Sequence, residues 1–138
     1  MRAVRVALLL LVALAAMPVS AQEAAAVRQE CSAGRSHVEM RACLQGRAQE
    51  SDGELRKTED ELRKALKAWR EEPAHVKRSL LEFEASLRQF SRYRQQQCEL
   101  VASLSAGGNS QDDLRLSCVY ELNAKRVLQI RQVQAFVQ

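Results

Sequence analysis

Aromatic residues, glycine and proline are scarce in this sequence, and their scarcity limits the folds that it can adopt. Phe, Trp and Tyr together make up 4% of the 138 residues, and there are five glycines and two prolines. Low glycine and proline exclude collagen-like and low-complexity chains, and sparse aromatic and β-branched residues disfavour a β-rich architecture. Because 46% of the residues are hydrophobic, led by Ala, Leu and Val, the composition predicts one small, mostly helical domain.

The sequence also lacks the short motifs that mark an active site, a cofactor site or a metal site. It contains no C-x-x-C pair, H-E-x-x-H motif, G-x-S-x-G turn or glycine-rich phosphate loop. Its two histidines, His37 and His75, fall near the starts of different predicted helices and bring no converging ligands with them. We therefore expect a protein with no catalytic residues, no metal and no cofactor, and hence not an enzyme.

No hydrophobic run is long enough to span a membrane, although the first residues carry a short one. The apolar stretch from Val6 to Ala16 has eleven residues, against about 20 in a membrane-spanning helix. Two arginines precede it, and a proline and the small residues Val19-Ser20-Ala21 follow, which is typical of a signal peptide. We predict that residues 1–21 are removed by cleavage after Ala21 and that 22–138 form a single domain. That domain is expected to be periplasmic or secreted, and, with no cysteine after the apolar run, not a lipoprotein.

An excess of charge of one sign is also missing. The chain has 21 Lys and Arg against 17 Asp and Glu, a net charge of +4. Loss of Arg2 and Arg5 with the signal peptide leaves 19 against 17, or +2. This weak charge, interleaved along the chain, disfavours nucleic acid as a partner and does not suggest binding to a membrane surface. It is typical of solvated helix faces. With the apolar run removed by cleavage, no stable membrane insertion is expected.

Four cysteines are present, and in an exported chain they predict two disulfides. The intervals of 12, 55 and 20 residues between Cys31, Cys43, Cys98 and Cys118 do not match a zinc site. Cys98 lies ten residues before Gly108 and Cys118 ten residues after it, so a helical hairpin centred there would pair them. Cys31 then pairs with Cys43 by elimination. The alternative, Cys43 with Cys98, needs a hairpin near residue 70, which the break at Glu72-Pro73 fits less well.

The periodicity of apolar residues predicts an all-α, antiparallel up-down-up bundle of about three main helices after a short N-terminal segment. Ser36-x-x-Glu39 has the form of a capping box and begins the first helix, in which Gly46 and Gly53 predict a kink or break. A helix restarted by Ser51-Asp52-Gly53-Glu54 would end at Pro73. The segment 74–104 is amphipathic, and the last helix starts near Ser110 and runs toward Phe136. The apolar stripe of segment 74–104 comprises Val76, Leu80, Phe83, Leu87, Phe90, Val101 and Leu104.

Two surfaces are candidates for binding. The uncharged loop from Ser105 to Gln111, with Gly107, Gly108 and Asn109 at its centre, would be anchored at its base by a Cys98–Cys118 bridge. The other is the basic group of Arg88, Arg92 and Arg94 beside Tyr93, which is more typical of a charged outer helix face.

The segments that carry the cysteines resemble a known family of exported bacterial proteins, the lysozyme inhibitor LprI N-terminal-like domain family. The resemblance covers residues 31–130. The matching residues are Ser36-x-x-Glu39-Met40-x-x-Cys43, Phe90-x-x-Tyr93-Arg94-x-x-x-Cys98, Gly107-Gly108 before Cys118, and Arg126 after it.

This resemblance implies an all-α, disulfide-bonded periplasmic protein that binds and blocks lysozyme without catalysis. The Gly107-Gly108 loop is then the natural element to enter the substrate cleft. The competing interpretation is an envelope protein-interaction or scaffold module that does not contact lysozyme. The sequence leaves the oligomeric state undetermined.

Overall fold

The structure is a computed structural model that describes residues 19–137, and within them it contains four helices and no strand. Helix α1 spans Val19–Ser32, α2 His37–Ala68, α3 Pro73–Ser103 and α4 Gln111–Gln134. The predicted all-α fold is confirmed, and the short N-terminal segment is itself helical. Residues 1–18 of the predicted signal peptide lie outside the described residues, and the predicted cleavage point falls in the first turn of α1. No helix between residues 19 and 137 has the length and hydrophobicity to cross a membrane.

The three long helices run up, down and up, as predicted. Antiparallel pairing of α3 with α4 and of α2 with α3 is seen in the Cys98–Cys118 disulfide and in the ion pair between Arg63 and Glu84. Helices α2 and α4 are therefore parallel, and α1 packs antiparallel against the first half of α2. The end with the α1–α2 turn and the α3–α4 loop carries both disulfides and is called the disulfide end. The opposite end, with the α2–α3 turn and the last turn of α4, is called the far end.

Each end has its own hydrophobic core. At the disulfide end, Val27 and Cys31 of α1 pack with Leu44 of α2, flanked by partly buried side chains of α4. The far-end core is larger, contains no disulfide and is formed by Leu55, Leu62, Leu66, Phe83, Val127 and Ile130. Trp69 packs against this core and is the C-cap residue of α2.

The predicted capping box at the start of α2 is confirmed. The backbone N–H of Glu39 donates to Ser36 Oγ, and the Glu39 carboxylate accepts from the Ser36 backbone N–H at 2.8 Å. These bonds satisfy backbone donors that have no partner inside the helix. The hydrogen bond from the Ser36 backbone lowers the pKa of Glu39.

Three sequence-based expectations about the helices are wrong. First, α2 is continuous from His37 to Ala68 and has no break at Gly46 or Gly53. Propensity costs of about 1 kcal/mol per glycine are outweighed by the side chains that α2 buries along its whole length. Second, α2 ends at Ala68, five residues before Pro73, which instead occupies the first turn of α3. Third, Leu104 is not part of a buried stripe: it is 74% exposed, because α3 meets α4 there through Cys98 and Ala102.

We expect the double substitution Gly46→Ala and Gly53→Ala to stabilise the protein by about 1–2 kcal/mol. Both glycines lie inside α2, and a Cβ atom at either position would have no neighbour within 4 Å. The measurement is the free energy of unfolding in urea. Gly107→Ala is the opposite control, since its positive φ of 82° makes a side chain unfavourable. A double variant less stable than the parent would contradict this explanation.

A disulfide-anchored loop as candidate binding site

The α3–α4 loop is a succession of tight turns that begins where α3 ends. The backbone N–H groups of Ser105 and Ala106 continue to donate to carbonyls three residues earlier, at 3.2 and 3.3 Å. Ala106 and Gly107 then adopt left-handed backbone angles, with φ of 51° and 82°. This reverses the chain, and the N–H of Gly108 donates to the Ser105 carbonyl at 3.1 Å. Glycine is needed at 107 because its backbone angle is unfavourable for other residues.

The base of the loop is held by a disulfide and an ion pair between α3 and α4. Cys98 and Cys118 are bonded with their Cα atoms 5.5 Å apart, and the second disulfide joins Cys31 to Cys43, so both favoured pairings are present. One turn closer to the loop, the Arg115 guanidinium donates two hydrogen bonds to Glu99, at 2.8 and 3.0 Å. These bonds lower the pKa of Glu99 and raise that of Arg115.

Helix α2 holds the loop from the other side, through side-chain contacts that no pattern in the sequence indicates. Arg41 Nη2 donates to the backbone carbonyl of Asn109 at 2.6 Å, and its Nε donates to Asp113 Oδ1 at 3.2 Å. The side chain of Asp113 is only 5% exposed, and its second oxygen lies 2.8 Å from His37 Nε2. Asp113 lies in the first turn of α4, where an acidic residue also favours the helix dipole. Because its partners lie 72 and 76 residues away, no local pattern could have identified this cluster.

The anchored loop presents exposed, uncharged groups to solvent. Gly107, Gly108 and Asn109 are all exposed, and within residues 19–137 the backbone N–H groups of Gly107 and Asn109 have no hydrogen-bond acceptor. Two large apolar side chains are exposed at the same end of the bundle, Val38 at 77% and Leu104 at 74%. A loop fixed by its scaffold, with free donors and apolar neighbours, has the properties of a protein-binding surface.

The second candidate surface is not a continuous basic patch, because Arg94 faces the protein interior. Arg94 Nη1 donates to Asp52 Oδ1 at 2.7 Å and to Asn123 Oδ1 at 2.6 Å. Asn123 is fully buried, and its amide nitrogen donates to Ser51 Oγ and Asp52 Oδ1, both at 2.9 Å. This network joins α2, α3 and α4, whereas Arg88, Arg92 and Tyr93 remain exposed on α3. The expectation that Arg94 belongs to the outer face is therefore wrong.

The two histidines lie apart, His37 against Asp113 and His75 beside Glu72 in the first turn of α3. Across residues 19–137, no three His, Cys, Asp or Glu side chains are grouped so that they could hold a metal ion.

We expect the Glu99–Arg115 pair to make stability sensitive to acid. Because folding lowers the pKa of Glu99 below its ordinary value of 4.5, its contribution is complete above that pH and is lost as the pH falls through the lowered pKa. Glu99→Gln should therefore lower the melting temperature at pH 7 and have a smaller effect at pH 3. Glu71→Gln, an exposed glutamate of the α2–α3 turn, is the control. An effect of Glu99→Gln that is equal at both pH values would disprove the assignment.

The fold and the loop define a class of protein: a small, all-α bundle whose two disulfides lie at one end and anchor a projecting loop. Comparison with protein-family models specifies the family. The chain belongs to the lysozyme inhibitor LprI family, whose model matches residues 28–130 and thus includes all four cysteines and the loop. No curated protein and no solved structure matches the chain.

Proposed function

We propose that this protein is an exported, non-catalytic inhibitor that binds lysozyme and blocks its substrate cleft with the Gly107-Gly108-Asn109 loop. The observation that carries the proposal is the exposed, uncharged loop held from both sides, by the Cys98–Cys118 disulfide and by the hydrogen bond from Arg41 to Asn109. Family membership names lysozyme as the target class. Export agrees with two disulfides in a short chain, since disulfides persist in oxidising compartments.

The loop has the shape and chemistry that such a cleft requires. Glycoside hydrolases cut between sugars with a pair of carboxyl groups at the base of the cleft. Two consecutive glycines make a narrow loop, and the free backbone N–H groups of Gly107 and Asn109 can donate to those carboxylates. The exposed side chains of Val38 and Leu104 can then cover the rim of the cleft. Because the loop is already fixed in the free protein, less conformational entropy is lost when it binds.

Because the loop carries no charge, the binding should depend on shape and backbone hydrogen bonds rather than on electrostatic steering. Inhibition is therefore expected to change little with salt concentration. A steep loss of inhibition with salt would indicate instead a contact through the exposed charged faces of the bundle.

The test is a cell-wall lysis assay in which lysozyme is titrated with the oxidised protein comprising residues 22–138. Stoichiometric inhibition is the expected result. Replacing Cys98 and Cys118 with serine should weaken it strongly. Replacing Cys31 and Cys43, which join α1 to α2 at the same end of the bundle but do not close the α3–α4 loop, should weaken it less. The assay is run at a temperature where both variants are folded. Absence of inhibition across several lysozyme types would overturn the proposal and favour an interaction module with another envelope partner.

A further inference from the structure

A cavity of about 450 Å³ lies at the far end of the bundle, between the second half of α2, the first half of α3 and the last turns of α4. It is separate from the candidate loop, which is at the disulfide end. Its volume is within the range of about 300–1,000 Å³ found for small-molecule sites. Most of its wall is apolar and includes Leu66, Trp69, Phe83 and Ile130. Such a wall favours an apolar ligand and disfavours a hydrated one.

Two arginines line the cavity at different levels, since Ser86, which Arg126 contacts, lies about 12 Å along α3 from Arg78. Arg126 is half-buried, its Nη2 donates to Ser86 Oγ, and its guanidinium lies 5.3 Å from the centre of the Phe90 ring. Its Nε atom is buried and, within residues 19–137, has no hydrogen-bond acceptor. Arg78 also lines the cavity, is exposed, and forms no ion pair within the described part of the chain. Buried donors in folded proteins are nearly always satisfied by protein, water or ligand, so the Arg126 Nε is a donor that a ligand in the cavity can use.

The charges around the cavity favour a ligand with one anionic group. Glu82 is the one acidic residue of the lining, against two arginines. Glu59 lies close enough to Arg126 to interact with it electrostatically, and burial raises the pKa of Glu59. Burial also lowers the pKa of Arg126. An anion bound at Arg126 would offset the cost of burying that cation.

The mouth of the cavity gives an apolar chain access from solvent. Phe136, which lines the cavity just after α4, is 80% exposed, and Val133 is 50% exposed. Exposed apolar side chains at the edge of an apolar cavity lower the free energy of a complex when a ligand covers them. These two residues lie outside the range 28–130 that the family model matches.

We propose that the far-end cavity binds a single-chain amphiphile with a carboxylate head, of the fatty-acid class, with its chain along the apolar wall and its head at Arg126. This site is independent of the proposed inhibition of lysozyme.

The sole tryptophan of the chain, Trp69, lines the cavity and therefore reports on its occupancy. Dodecanoate, added to the oxidised protein below its aggregation concentration, is expected to change the Trp69 fluorescence saturably with one-to-one stoichiometry. Dodecanol and dodecyltrimethylammonium should bind about tenfold more weakly, since a charge-assisted hydrogen bond to the head is lost. Equal affinity for dodecanoate, dodecanol and dodecyltrimethylammonium would overturn the contact between the carboxylate head and Arg126. Absence of saturable binding would overturn the site.

Substitutions inside and outside the cavity test where dodecanoate binds. Arg126→Gln should weaken dodecanoate binding about tenfold and leave dodecanol binding unchanged. Arg126→Lys, which keeps the charge, should weaken dodecanoate binding less and keeps the test available where Arg126→Gln impairs folding. Arg78→Gln is the control for a change of charge at an exposed part of the lining, and a loss equal to that of Arg126→Gln would overturn the place of the head group. Val133→Glu should weaken dodecanoate binding, whereas Leu128→Glu, a half-exposed position of α4 outside the cavity, should not. Equal effects of these two substitutions would overturn the location. Val133→Glu should leave inhibition of lysozyme unchanged.

Discussion

Replacing Asn123 with leucine is expected to lower the free energy of unfolding by about 3 kcal/mol, a large share of the stability of a small domain. The side chain of Asn123 is completely buried and hydrogen-bonds to Ser51, Asp52 and Arg94 at 2.6–2.9 Å. Leucine has the same number and branching of side-chain heavy atoms, so no cavity forms, and the loss comes from the hydrogen bonds and from the larger size of the methyl groups. Two of these partners carry charges, and hydrogen bonds to charged groups are the stronger ones, at about 1.5–3 kcal/mol each.

The measurement is urea unfolding followed by circular dichroism, with Gln132→Leu as the control. Gln132 is also an amide residue of α4, but it is exposed, so its replacement should change the free energy of unfolding by less than about 0.5 kcal/mol. If the two variants are equally stable, the network that joins α2, α3 and α4 does not hold the bundle together. Arg94 would then be free to act at the surface, as the sequence alone had indicated.

The second large effect is expected on inhibition: Asn109→Trp should weaken inhibition of lysozyme by about 30-fold or more. The side chain of Asn109 is exposed at the tip of the loop, and an indole there is much bulkier than the carboxamide and would hold the loop backbone away from the cleft. Arg41 binds the backbone carbonyl of Asn109 and not its side chain, so the substitution leaves the anchoring of the loop in place. Helicity and melting temperature should therefore be unchanged.

Arg92→Glu is the matched control for this experiment. Arg92 is exposed on α3 at a distance from the loop, and its replacement changes the net charge by two. If the loop enters the cleft, Arg92→Glu should inhibit like the parent protein. Equal weakening by both variants would show that lysozyme contacts the outer face of α3. Unchanged inhibition by Asn109→Trp would exclude the loop from the interface.

The order and type of the helices could be predicted because the signals for them are local. The capping box at Ser36, the glycine-rich loop after α3 and the apolar spacing between them each act over a few residues. The helical hairpin that they define brings Cys98 and Cys118 to the same level on facing helices. The pairing of these cysteines follows from the lengths of the elements, without knowledge of how the other helices pack.

The continuity of α2, where a break was expected, is a feature that local helix propensity does not decide. Glycine at 46 and 53 lowers helix propensity, but Leu44, Leu55 and Leu62 bury one face of α2 along its length. Packing of that face against α4 decides the continuity of the helix. In contrast, the helical register does distinguish Arg94 from the exposed Arg88 and Arg92. Arg94 lies four residues after Phe90 and four before Cys98. Only the structure shows which groups of α2 and α4 it contacts.

The sequence by itself determined the fold class, the helix starts, the two disulfides and the family resemblance, because these depend on short-range spacing and composition. The tertiary structure alone decided which polar groups are buried and which of them are hydrogen-bonded between helices. The Asn123 network, the Arg41 and His37 contacts to Asp113 and the arginine-lined cavity all join residues that are tens of positions apart. Their formation depends on how far each helix is rotated about its axis against its neighbours, and that rotation is set by the packing of the whole bundle.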